Sequence, residues 1–137
     1  MKMMSTIYCL TGAILLSIAA TAVAVGPHHR LVLLDTLERG NWQLRATSSG
    51  EPVGKICLGK SEALIQIRHS GIACEQYVVR SNANSVTVSY TCEGQGQGLT
   101  TIRKESNQII HIQSQGIRDN APFSISAEGR RTGPCKP

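Results

Sequence analysis

The chain has 137 residues, with 14 Lys and Arg against 9 Asp and Glu for a net charge of +5, and 41% of it is hydrophobic. That length suits one domain with a modest core, and the charge is spread along the sequence, which argues against a nucleic-acid-gripping basic block. Five cysteines in so short a chain point towards disulfide bracing.

Lys2 precedes an uncharged run from Ile7 to Val25 that contains Ala22-Val23-Ala24 near its end. A charged start, a short apolar centre and a small-x-small end predict a secretory signal peptide, residues 1–24, cleaved after Ala24. A membrane anchor would need ~20 strongly apolar residues, and Ser17, Thr21 and several Ala dilute this run. Cys9 lies inside the apolar stretch without the small residues that precede a lipoprotein cysteine. What remains is residues 25–137, 113 residues (137 less 24), a single disulfide-braced β domain of net charge +4 once Lys2 is removed. The expected location is periplasmic or secreted. There, an anionic envelope surface is the electrostatic partner the charge would favour, against the plainer reading of an ordinary solvated surface.

Pro27-His28-His29 reads as a tail, where neighbouring histidines bind metal weakly at best; no metal site and no cofactor is expected. From Arg30 to Glu38, Leu31, Leu34 and Leu37 recur at helical spacing, and Gly40 is placed to close a helix. Asn41 to Ala46 alternates polar and apolar, the pattern of a half-buried strand with Trp42 as core anchor; a buried indole N–H would need a partner. Val53 to Leu58 predicts a second strand, and Lys60 to Gln66 a short helix with Leu64 and Ile65 inward and Glu62 near its N-terminus.

Tyr77–Val79 and Val86–Thr91 predict a hairpin around Ser81-Asn82-Ala83-Asn84-Ser85, whose Asn residues tolerate a left-handed backbone. Gly94-Gln95-Gly96-Gln97-Gly98 resembles a phosphate-cradling loop in composition, but it leads into a strand instead of a helix and reads as a wide connection. A second hairpin joins Leu99–Arg103 to Ile109–Ser114. Pairing Ile102 with Ile110 and Thr100 with Ile112 puts three isoleucines and a threonine inside, with Arg103, His111 and Gln113 outside. Phe123 to Ala127 alternates as the last strand, ahead of a turn-rich tail.

With Cys9 removed, Cys57, Cys74, Cys92 and Cys135 form two disulfides. No two have C-x-x-C spacing, which disfavours zinc and thioredoxin-like redox chemistry. If Val79 faces Val86 and Tyr77 faces Val88, Cys74 and Cys92 point to opposite faces. That favours Cys57 with Cys74 and Cys92 with Cys135; a one-residue shift would instead set Cys74 opposite Cys92. The whole reads as a mostly β fold, with an antiparallel up-and-down meander of about six or seven strands and one or two short helices. The sheet is expected to be curved, or to form a partial barrel.

Gly40-Asn41-Trp42, the run Cys57-Leu58-Gly59-Lys60-Ser61-Glu62-Ala63, Thr91-Cys92, and Gly129-Arg130-Arg131-Thr132-Gly133-Pro134-Cys135 occur in that order. Together, over roughly Leu34 to Cys135, they resemble the domain-of-unknown-function 3617 family (DUF3617) of small exported proteins from Gram-negative bacteria. That family often has Thr-Pro after Cys-Leu, where this chain has Gly59-Lys60. The resemblance implies export, disulfides and a β-rich fold, and it carries over no catalytic residue.

Three functions follow as expectations. The first is a non-catalytic envelope protein that binds a small apolar or amphipathic ligand, or a lipid, on the open face of a curved sheet. Trp42, Tyr77, Tyr90 and Phe123 are its candidate lining, each otherwise plain core. The second is a protein-interaction module, such as an inhibitor of an envelope enzyme, contacting an acidic partner through Arg130 and Arg131. The third is an enzyme, which is not expected because no G-x-S-x-G elbow, HExxH helix or carboxylate pair places a catalytic set.

Overall fold

A computed structural model of the chain describes residues 31–136. The expected signal peptide and the His28-His29 tail lie outside them. After α1 (Val32–Asp35) come β1 (Gly40–Ala46) and β2 (Pro52–Leu58), two 3₁₀ turns (Ser61–Leu64 and Ile67–His69), then β3 (Glu75–Ser81), β4 (Ser85–Cys92), β5 (Gly96–Ser106), β6 (Ile109–Arg118) and β7 (Ala121–Gly133). The seven strands form one antiparallel sheet in the order β2-β1-β7-β6-β5-β4-β3. This is chain order read around a ring: each strand pairs with the next in sequence except β2 with β3, where the ring stays open, and β7 returns to β1. The up-and-down meander therefore holds, as an unclosed barrel order.

Alternation decides which side chains fill the inside. Trp42, Leu44, Val86, Val88, Tyr90, Ile102, Ile110, Ile112 and Ala127 are buried on the inner face. The segment linking β2 to β3 adds Leu64, Ile65 and His69, and α1 with the residues after it adds Leu33, Leu34 and Leu37. Trp42 Nε1 donates to Glu38 O at 3.0 Å, the partner its burial requires.

The predicted helix over 30–38 shortens to four residues plus a turn, because the Thr36 hydroxyl donates to Leu33 O at 2.6 Å and the following amides take tighter bonds. Gly40 starts β1 with a φ of 139° instead of capping a helix. The helix expected at 60–66 is a 3₁₀ turn, with Leu64 and Ile65 inward as anticipated.

Two registers differ from expectation. In the β5–β6 hairpin Ile102 faces Ile112 and Thr100 faces Ser114, with a bulge near Glu105. The slip is two residues, so the same isoleucines and threonine stay inside. In the β3–β4 hairpin Val78 faces Val88, then a bulge at Val79 sets Arg80 opposite Thr87. That is a slip of one residue, which turns Tyr77 and Val79 outward. It also brings Cys74 opposite Cys92, so the expected Cys57–Cys74 and Cys92–Cys135 bridges are replaced by Cys74–Cys92 (Cα–Cα 4.3 Å) and Cys57–Cys135 (5.5 Å). Two disulfides are the kind of bracing that an oxidising, extracytoplasmic compartment preserves.

β7 is thirteen residues long and includes the stretch expected as a tail. Gly129 can sit in mid-strand because a side chain there would press on Ile110 and Leu44, both within about 3 Å of an added Cβ. Asp119 and Asn120, with φ of 50° and 62°, make the two-residue reversal from β6 to β7.

Candidate functional site

The inner face carries one polar seam. His69 is fully buried, its Nδ1 3.2 Å from the Tyr90 hydroxyl and its Nε2 3.2 Å from Gln95 O. A carbonyl only accepts, so in the neutral ring Nε2 carries the hydrogen and Nδ1 accepts from Tyr90. Deeper in, Thr100 donates to Ile65 O at 2.6 Å and lies 2.7 Å from the Ser114 hydroxyl. Gln66 donates to His69 O and Ile72 O, and accepts from Gln76. These bonds tie the 3₁₀ segment to β3, β4 and β5, and burial raises the Tyr90 phenol above its ordinary value. Tyr90 can lie flat on β5 because Gly98 faces it: an added Cβ would come within 2.5 Å of the ring. Among the described residues no buried side-chain nitrogen or oxygen lacks a hydrogen-bond partner. Nor does any group of three or more His, Cys, Asp or Glu there stand ready for a metal.

The four candidate lining residues are not brought together. Trp42 and Tyr90 are in the core, Tyr77 is 63% exposed on the opposite face, and Phe123 is half-buried with its ring 6.0 Å from that of His69. Only Tyr90 and Phe123 share a neighbourhood, each beside His69. Sequence reasoning passed over His69, Gln66 and Gln76, which no motif marks.

Arg130 and Arg131 lie within β7, not beyond it, and successive residues of a strand point to opposite faces. Arg130 pairs with Glu128, whose carboxyl it holds below the usual carboxylate range. Arg131 donates to Arg39 O at 2.8 Å and sits 3.6 Å from Glu38, fastening the approach to β1 onto β7. Both line a surface groove with Glu38, Asn107 and Gln108.

The outer face of β4 to β7 has a different chemistry. One cross-strand row is Thr87, Thr101, Gln113 and Ser126; the next is Ser89, Leu99, Gln115 and Ser124; the third is Thr91, Gln97, Ile117 and Pro122. None of these three rows of four holds a charge. Charge returns in the adjoining row, where Arg103, His111 and Glu128 follow Ser85 and Arg45 continues the line on β1. On β3 the three rows continue with Arg80, Tyr77 and Glu75, so charge also borders the field on that side. Leu99 and Ile117 are 37% and 43% exposed.

Two troughs adjoin on this face. One, of about 540 Å³, is lined by Ser89, Gln97, Leu99, Gln115 and Ile117, the two glycines Gly98 and Gly116, and Phe123. The other, of about 210 Å³, shares Leu99 and Gln115 and continues over Thr101, Gln113, Ser124 and Ser126. The sequence does carry a signal for this surface: residues 81–92, 94–102, 112–117 and 120–127 hold no charged residue, and hydroxyls alternate there with apolar side chains.

No helix among the described residues is long and apolar enough to cross a membrane. No curated protein and no solved structure is significantly similar to the chain. The DUF3617 family, described as protein of unknown function, matches residues 37–135, and with that span covering the whole sheet and all four paired cysteines, the chain belongs to the DUF3617 family.

Proposed function

We propose that this protein is an exported, non-catalytic binding protein of the cell envelope that takes an amphipathic ligand on the outside of its sheet. One observation carries the reading: the inner face is packed with the chain's own side chains, whereas exposed apolar groups and a trough of about 540 Å³ lie outside, around Leu99 and Ile117. The trough's volume falls in the range of sites that hold small molecules, ~300–1,000 Å³. Two disulfides and the apolar N-terminal run support export. An interaction module acting through Arg130 and Arg131 has less behind it, since both guanidiniums are already engaged by Glu128, Glu38 and Arg39.

Mass spectrometry of protein exported to a bacterial periplasm tests both halves. The denatured mass should match Val25 to Pro137 less four hydrogens; a full-length or reduced mass would refute export. After incubation with an envelope extract, the native mass should exceed the denatured one, and the Leu99→Asp variant should lose that excess. An excess that survives Leu99→Asp, or none at all, would refute binding on this face.

A further inference from the structure

The three uncharged rows on β4 to β7 define a more specific ligand, in an assignment that rests on the outer face being the binding face. We infer that they form a docking surface for a neutral, hydroxyl-rich glycan chain. A protein surface usually carries about 25–35% charged residues, so a field of twelve outward positions would ordinarily hold about three or four. Here it holds none, although the chain has 23 charged residues and they resume in the very next row.

What replaces them is six hydroxyls and three carboxamides. Each of these groups both donates and accepts hydrogen bonds, as a sugar hydroxyl does. A phosphate or carboxylate ligand would call for Arg or Lys, and the twelve positions hold neither; Arg80 stands only at their β3 edge, beside Thr87. A lipid would need continuous apolar surface. Here Ser89 separates Tyr77 from Leu99, and Gln97 and Gln115 flank Leu99 and the Ile117–Pro122 pair, a spacing that lets the C–H face of a sugar ring lie on an apolar side chain while its rim bonds to amides and hydroxyls.

Shape agrees with this chemistry. The two troughs join through Leu99 and Gln115 into one elongated depression. Four strands at ~4.8 Å spacing make the field about 14 Å wide, and three rows make it about as long, enough for a few sugar rings. The side chains stand on a paired sheet, so little ordering opposes binding.

Affinity electrophoresis tests the assignment, with the disulfide-intact exported protein run through native gels containing dextran, a mixed-linkage β-glucan or galactomannan, and alginate as the anionic control. At least one neutral polymer should retard the protein, equally at low and high salt. Gln115→Glu, an exposed change of matched size, should weaken that retardation about tenfold by placing a charge at the centre of the field. Its two disulfides should stay intact and its circular dichroism should match the parent's, which separates lost binding from lost fold; should it misfold, Gln115→Ala takes its place.

Retardation by none of the three neutral polymers, retardation by alginate alone that salt abolishes, or full retardation of a folded Gln115→Glu would each overturn the assignment. So would a dimer that Gln115→Glu splits into monomers without any glycan binding, which would mean that a second copy covers the face. A Leu99-dependent mass excess from envelope extract, seen without glycan retardation, would sink the glycan assignment and leave the binding face standing. If both signals are missing, the binding face falls too.

Discussion

Removing the Cys57–Cys135 bridge should cost about 4.5 kcal/mol, nearly all of it through the unfolded chain. The bridge spans 78 residues of sequence. The loop-entropy relation, about 2.1 plus 1.5R ln n in cal/mol/K, then gives ~15 cal/mol/K, or ~4.5 kcal/mol at 25 °C. Cys57 is exposed and Cys135 half-exposed, so the double change Cys57→Ala with Cys135→Ala leaves no buried void to add to that figure. A domain of this size has ~5–15 kcal/mol in all, so the variant should remain folded but close to the threshold. Urea unfolding read by Trp42 fluorescence measures the loss. The unfolded chain, released from its loop, should also expose more surface and steepen the denaturant slope. A loss under about 2 kcal/mol with an unchanged slope would refute the argument that this bridge works by restraining the unfolded state.

The other bridge, across 18 residues, gives about 3.2 kcal/mol by the same relation, to which the void left by buried Cys92 adds. Thr100→Val should destabilise by about 2–3 kcal/mol in urea titration, because it strands Ile65 O and the Ser114 hydroxyl away from water; a change under about 0.5 kcal/mol would mean water replaces both bonds. Gly98→Val should cost about 1–3 kcal/mol and shift the near-ultraviolet signal of Tyr90, whose ring occupies the space a Cβ would take; an unaltered spectrum would count against that packing.

Burial raises the Tyr90 phenol above its ordinary 10.0, so in alkali the unfolded chain loses this proton first. The stability tied to Tyr90 is therefore complete below about pH 10 and drains as pH climbs from there towards the raised folded value. Melting temperatures of Tyr90→Phe and the parent across about pH 8 to 11 should converge at the alkaline end; parallel curves would show that burial does not hold the proton.

The inner face was legible because alternation survives a slip of two: Ile102, Ile110 and Ile112 were assigned inward correctly even though each partner was misnamed. Val78-Val79 was the opposite case. Consecutive valines present an apolar side chain to both faces, so the pattern could not choose between them, and the bulge that decides the register depends on how β3 lies against β4. The disulfide error followed directly. Gly129-Arg130-Arg131-Thr132-Gly133 looked like a turn because two glycines and a following proline are turn residues in isolation; only the side chains of Leu44 and Ile110, from distant strands, explain a glycine there. Among the candidate site residues, the aromatic ones are ambiguous in sequence because large apolar groups serve core and pocket alike. The charge-free stretches are visible in the sequence, but only register, placing Thr101 beside Gln113 and Leu99 beside Gln115, gathers them into one field.

The return of β7 to β1 also governs the order of events during synthesis. β1 and β2 leave the ribosome early, yet the second neighbour of β1 is the last strand made, and Cys57 encounters Cys74 and Cys92 before its partner Cys135 exists. The nascent chain therefore carries a hairpin with a bare edge, and a thiol with only wrong partners in reach, until the final strand arrives. A chain interrupted before Glu128 would retain almost every inward side chain of the meander and still be unable to complete the sheet around Trp42. The fold's earliest pieces thus stay incomplete until its last strand has been made.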